Sequence, residues 1–160
     1  MQKAFLLVVA AGIVVGLAWP SGRSSAPTAP IVSPASASED GPRETVLERS
    51  EGGHFYADVE INGALVRFLV DTGATGVALT ERDAERIGLD FDRGAYEQVG
   101  IGASGPVRGA FVTLDKVSLD GKSAHKVEGA ILEGSDISLL GQNFLGRFSI
   151  EMRGNTMRIY

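Results

Sequence analysis

The stretch most able to do chemistry is Phe68-Leu69-Val70-Asp71-Thr72-Gly73-Ala74-Thr75. An apolar run delivers one carboxylate into a turn. There Thr72 offers a hydroxyl and Gly73 lets another backbone approach closely, having no Cβ. A carboxylate can serve as a general acid or base where its surroundings allow it. The same tripeptide also suits a strand that simply ends in a polar turn, so spacing alone leaves both readings open.

Other side chains offer weaker chemistry. Asp136 precedes Ile137-Ser138-Leu139-Leu140 and reads as a turn acid capping a strand. Asp58 and Glu60 alternate with apolar residues and belong on a solvated strand face, while Asp90, Asp92 and Arg93 form a polar loop. His54 and His125 lie far apart in sequence, with no pair of histidines at the spacing a local metal site requires. No metal and no cofactor is expected. Ser104 and Ser138 lack the Gly-x-Ser-x-Gly turn that exposes a hydrolase nucleophile. The run Gly100-Ile101-Gly102-Ala103-Ser104-Gly105 imitates a dinucleotide fingerprint, but no strand–helix–strand pattern surrounds it.

The elements that would position Asp71 are short strands. Phe55, Ala57, Val59 and Ile61 alternate along one face, Asn62-Gly63 signals a tight hairpin, and residues 64–70 return. Further strands are predicted over 107–119, 124–132, 137–140, 147–152 and 156–160, with turns at Asp120-Gly121 and Gly154-Asn155. Two short helices are predicted. Thr80 caps the first, Ala84 and Ile87 face inward, and Gly88 stops it. The second is a turn or two over 142–145. The fold class is mainly β: a small closed barrel or two packed sheets with two short helices, one lobe per chain.

Composition bounds the rest. The chain has 160 residues, a net charge of -5 and no cysteine, which excludes disulfides, thiolate metal sites and a cysteine nucleophile. An acidic chain is poorly suited to gathering phosphates, so no nucleic-acid partner is expected. Residues 4–19 carry no charge and lie directly after Lys3. As a helix they would cover about 24 Å at 1.5 Å per residue, against ~30 Å for a hydrocarbon core. Residues 1–20 are therefore expected to be a membrane anchor or a signal peptide. The folded part would lie outside the cytoplasm on a single-pass anchor, or be released to the periplasm after cleavage. Five of the six prolines fall between Pro20 and Pro42, so residues 21–45 read as a Pro/Ser/Ala-rich disordered spacer. The folded domain is expected over 46–160.

These residues together resemble the retropepsin-like aspartic proteases, the group containing retroviral proteases and bacterial single-domain relatives. Asp71-Thr72-Gly73-Ala74 matches the family's acid loop. Val77-Ala78-Leu79-Thr80 and the short helix ending at Ile87-Gly88-Leu89 match the family's next strand and helix. Leu139-Leu140-Gly141 with Gln142 to Leu145 matches the downstream apolar pair, glycine and helix. Residues 96–107, with Gly100, Ile101, Gly102 and Ala103, match the flap hairpin in position and glycine content. The likeness spans about residues 50–160. One departure stands at Gln142, where retroviral members usually carry arginine.

The resemblance implies a protein or peptide substrate and Asp71 as the catalytic acid, with Thr72, Gly73 and Ala74 supporting its loop. Such enzymes need two carboxylates, and this chain has one Asp-Thr-Gly and no room for a second lobe. A homodimer would supply the second Asp71, with Thr72 bonding across the two-fold axis. The alternative is a catalytically silent barrel of the same ancestry that binds peptide or dimerises.

Overall fold

A computed structural model describes residues 42–160. Its ten strands, in chain order, are β1 (Thr45–Glu48), β2 (Tyr56–Ile61), β3 (Ala64–Val70), β4 (Val77–Thr80), β5 (Glu97–Gly102), β6 (Gly105–Leu119), β7 (Lys122–Leu132), β8 (Ser138–Leu140), β9 (Ile150–Arg153) and β10 (Thr156–Ile159). Helix α1 (Glu81–Arg86) comes after β4, and α2 (Gln142–Leu145) after β8.

Two of the tight hairpins have two-residue turns in which both residues take positive φ. Asn62 and Gly63 adopt φ 52° and 89° between β2 and β3, and Asp120 and Gly121 adopt 48° and 80° between β6 and β7. Turns of this hand match the right-handed twist of the strands they join. Along β2 the predicted alternation holds: Ala57, Val59 and Ile61 are buried while Asp58 and Glu60 are exposed.

The large sheet runs β2-β3-β8-β4-β7-β6-β5, and a further β2–β6 pairing, Glu60 opposite Ser118 and Ile61 opposite Val117, closes six of its strands into a barrel. Closure removes the unpaired edges an open sheet would present. β5 stays outside the ring as an arm on β6. Phe68, Leu79, Leu114, Ile131, Leu140, Phe144 and Leu145 fill the interior with no exposed surface. A separate three-stranded antiparallel sheet has the order β1-β10-β9 and buries Met157 and Ile159.

Helix α1 is too short to persist alone. Thr80 Oγ1 accepts the Asp83 amide at 3.0 Å, Gly88 turns left-handed at φ 73°, and Ala84 is buried, as the sequence predicts. A strut that the sequence does not announce completes it. Ser138 Oγ donates to Asp83 Oδ2 at 2.7 Å and accepts the Thr80 amide at 3.1 Å, tying α1 to β8. Burial acts to raise the Asp83 carboxyl, but hydrogen bonds from Ser138, Arg86 and Thr80 and the Arg86 charge outweigh it and hold it below its ordinary value.

Several sequence expectations differ from the structure. The strand expected from Arg147 begins at Ile150, because the Arg147 and Phe148 amides still close the end of α2 on Phe144 and Leu145 carbonyls. β1 begins at Thr45, within the stretch that composition assigns to the spacer, and Thr45 Oγ1 donates to Asp120 Oδ2 at 2.6 Å. The assignment to a membrane, single-pass or secreted to the periplasm, is corrected. Among the described residues no helix is long and apolar enough to cross a membrane, and residues 4–19, on which that assignment rested, lie outside the described residues.

Candidate active site

Asp71 stands at the first position after β3. Its amide donates to the Leu140 carbonyl at 3.1 Å, which continues the parallel register of β3 with β8, where Val70 lies opposite Leu140. Its Oδ1 accepts the Gly73 amide at 2.8 Å, and its carbonyl accepts the Ala74 amide at 3.2 Å. The side chain is thus turned back over its own loop and remains half-buried, one oxygen engaged by a backbone donor. A Cβ at position 73 would sit 3.2 Å from that same oxygen, so glycine here keeps the approach open.

The loop is locked from below by the segment after β8. The Gln142 amide donates to Ala74 O at 2.8 Å and the Asn143 amide to Thr75 O at 3.0 Å. Gln142 Nε2 adds a bond to Thr72 O at 2.9 Å. Gly141 makes this possible, because a Cβ there would fall 2.2 Å from the Gly76 carbonyl oxygen and 2.8 Å from that of Ala74. Asn143 braces both sides: Oδ1 accepts the Val77 amide at 3.1 Å and Nδ2 donates to Glu128 O at 2.6 Å. The two loops thread past one another, joined by these backbone and side-chain bonds.

Asp71 opens onto a cleft of about 710 Å³. One wall comprises Gly73 to Ala78 and Leu139, another Glu128 to Ala130 with Leu132, and the β5–β6 arm supplies Val99 to Ala103, Val107 and Phe111. The arm pairs Ile101 with Pro106 and Gly102 with Gly105, has a register shift between Gln98 and Gly100, and turns through Ala103-Ser104 into Gly105 at φ 110°. Its tip carries Ile101, which is 82% exposed. At the base of the arm the Tyr96 hydroxyl donates to Glu81 Oε1 at 2.6 Å, and Arg108 Nη2 donates to Tyr96 O at 3.0 Å. Burial, and after it the Glu81 carboxylate, pushes the Tyr96 phenol up to about 12.

Of the residues singled out in the sequence, Asp71, Gly73, Ala74, Gly100, Ile101, Gly102, Ala103 and Leu139 line this cleft together. Thr72 is exposed beside it, while Leu140 and Gly141 support the loop from behind. Asp136, His54 and His125 lie outside the lining. Ser138 is 1% exposed and committed to Asp83. Three residues at the site escape sequence reasoning: Asn143, Phe111 and Glu128. The only available signal for Asn143 was its place directly after the Gly141-Gln142 contact. Phe111 and Glu128 carry none, since strand alternation reports which face a side chain takes and not what lies across from it.

Comparison with known proteins agrees with this geometry. Residues 57–147 match the family described as "gag-polyprotein putative aspartyl protease". The chain is 37% identical over 106 residues to an uncharacterized protein of Rickettsia prowazekii (strain Madrid E), covering 66% of this chain and 46% of that one. An uncharacterized Sinorhizobium protein encoded in the cobV 5′ region is 35% identical over 124 residues, covering 75% and 53%. The chain thus spans about half the length of these curated relatives. Among solved structures, a retropepsin-like aspartic protease from Rickettsia conorii superposes with a TM-score of 0.62 at 32% identity, covering 73% of this chain and 90% of that one. An acid loop locked beside an apolar pair and glycine, inside a six-stranded barrel with an overhanging hairpin, occurs here with a matching family model and fold: the chain belongs to the retropepsin-like aspartic proteases.

Proposed function

We propose that the protein is an aspartic endopeptidase in which Asp71 of each of two copies forms one water-activating pair. The observation that carries this reading is the position of Asp71, half-buried at the floor of an apolar cleft, in a loop immobilised by Leu140, Gln142 and Asn143 and overhung by the β5–β6 arm. A rigid loop matters because the reacting groups must be held in place before the reaction begins.

The chemistry needs a second acid. Two carboxylates about 3 Å apart cannot both ionise, so they share a proton. The charged carboxylate takes a proton from water as its oxygen bonds to the peptide carbonyl carbon. The neutral one gives its proton to the carbonyl oxygen, producing a neutral tetrahedral diol. Breaking the C–N bond then returns one diol proton to a carboxylate and passes a carboxyl proton to the departing nitrogen. One copy offers one such acid, so a two-fold dimer with Asp71 at its axis completes the pair. Thr72 is exposed beside Asp71, and in such a dimer its hydroxyl would bond to its counterpart across that axis.

The test is incubation of the full chain with a peptide library over an acid-to-neutral pH series, beside Asp71→Asn. Cleavage by the parent chain and none by the folded variant is expected. Equal cleavage by both removes Asp71 from the mechanism.

A further inference from the structure

Two cleft residues have no part in peptide-bond hydrolysis itself. Phe111 on β6 is 61% exposed, although it is a large apolar side chain, and Glu128 on β7 is also exposed. β6 and β7 pair Phe111 with Ala130 and Thr113 with Glu128. Phe111 and Glu128 are therefore diagonal cross-strand neighbours on one sheet face, a separation that long and aromatic side chains bridge. Both line the main cleft, and with Val112 and Thr113 they also bound a hollow of about 380 Å³ that shares them with it.

Charge gives this corner a direction. Asp71 and Glu128 are the charged residues of the cleft lining, and both are acidic. None of the ion pairs among the described residues includes Glu128. The basic residue two positions before it, Lys126, is held by Asp115 at 2.5 Å. Asn143 Nδ2 fixes the Glu128 carbonyl, so the backbone that presents this carboxylate is tied to the segment beneath the Asp71 loop. An open aromatic face beside an unpaired carboxylate suits a long cationic side chain, with its apolar stem on the ring and its charge at the carboxylate.

We propose that Phe111 and Glu128 form a specificity subsite that takes a lysine or arginine side chain of the bound peptide, an inference that rests on the endopeptidase reading for the identity of the ligand as a substrate. An acidic side chain at the same peptide position meets Glu128 as a like charge and is disfavoured.

The experiment separates this subsite from catalysis by reading binding. Peptides with a reduced, non-hydrolysable bond carry lysine, norleucine or glutamate at each position in turn, and anisotropy reports their affinity for the full chain. At one position lysine is expected to bind about five- to tenfold more tightly than norleucine, the scale of one partly exposed ion pair with a cation–π contact. The gap should narrow at high salt. Glu128→Gln should abolish it, Glu128→Lys should turn it toward glutamate, and Phe111→Ala should weaken lysine and norleucine alike. Thermal unfolding confirms that each variant is folded. The same ranking in parent and Glu128→Gln, or no peptide binding at all, overturns the subsite. The same peptides with ordinary bonds are assayed for cleavage in parallel. A Glu128-dependent lysine preference without cleavage upholds the subsite and overturns the endopeptidase reading. Cleavage without the preference does the reverse.

Discussion

The Asp71 amide donates to the Leu140 carbonyl at 3.1 Å, and this bond extends the parallel β3–β8 register to the acid itself. The carboxylate is therefore placed by the barrel and not by a free loop. Gly141, one residue on, lets the segment at Ala74 to Gly76 pass at backbone distance.

Gly141→Ala is the sharpest test of that close passage. Its new methyl would fall 2.2 Å from Gly76 O, against backbone on both sides, with no flexible side chain to yield. A loss of about 3 kcal/mol or more is expected, at the upper end of overpacking costs. Gly100→Ala meets nothing within 4 Å and lies in the arm, so its thermal unfolding should match the parent.

Asn143→Ala removes the acceptor for the Val77 amide and the donor to Glu128 O together. With about 1 kcal/mol net for each hydrogen bond, a loss of roughly 2 kcal/mol is expected in denaturant unfolding. Proteolytic turnover should fall further than stability, because the same side chain braces the wall that carries Asp71.

The Asp83–Ser138 strut sets a pH dependence. The folded-state carboxyl lies below its ordinary value of 3.8, so the folded chain binds this proton less readily than the unfolded one. The contribution is complete above the unfolded value and fades as pH falls through the lower folded value. Asp83→Asn should therefore flatten the acid limb of a stability–pH curve below about pH 4 while costing stability at neutral pH. Ser138→Ala, at a buried site, leaves the Thr80 amide without its partner and should cost about 1–3 kcal/mol.

Range in sequence decided which features were legible before the fold was known. Asn62-Gly63 and Asp120-Gly121 were readable because a two-residue turn writes its φ requirement into the residues that form it. Thr80 and Gly88 announced α1 for the same local reason. The strand expected at Arg147 started late because the closing turns of α2 took its first residues, a competition that alternation does not register. The resemblance of residues 71–74 and 139–141 to a known family pointed to the candidate site, and the structure supplied the contacts between these two segments. Asn143, Ser138, Phe111 and Glu128 act through partners distant in sequence, and no local pattern encodes such a pairing.

Ile101 separates substrate engagement from folding. At 82% exposure it contributes little to the stability of one chain, so Ile101→Ser should leave unfolding unchanged within about 0.5 kcal/mol. On the endopeptidase reading Ile101, at the cleft, would meet bound substrate. Losing such an apolar contact costs roughly 1–3 kcal/mol in transition-state binding, so peptide turnover should drop about tenfold or more. Steady-state kinetics beside a melting curve decides it.

The most direct measurement mixes parent and Asp71→Asn chains, refolds them together at constant total concentration, and tracks peptide cleavage against the parent fraction. If each site draws one acid from each of two copies, the rate varies as the square of that fraction, and an equal mixture retains about one quarter of the parent rate. A straight-line dependence, or no cleavage at any ratio, would contradict the paired-aspartate account.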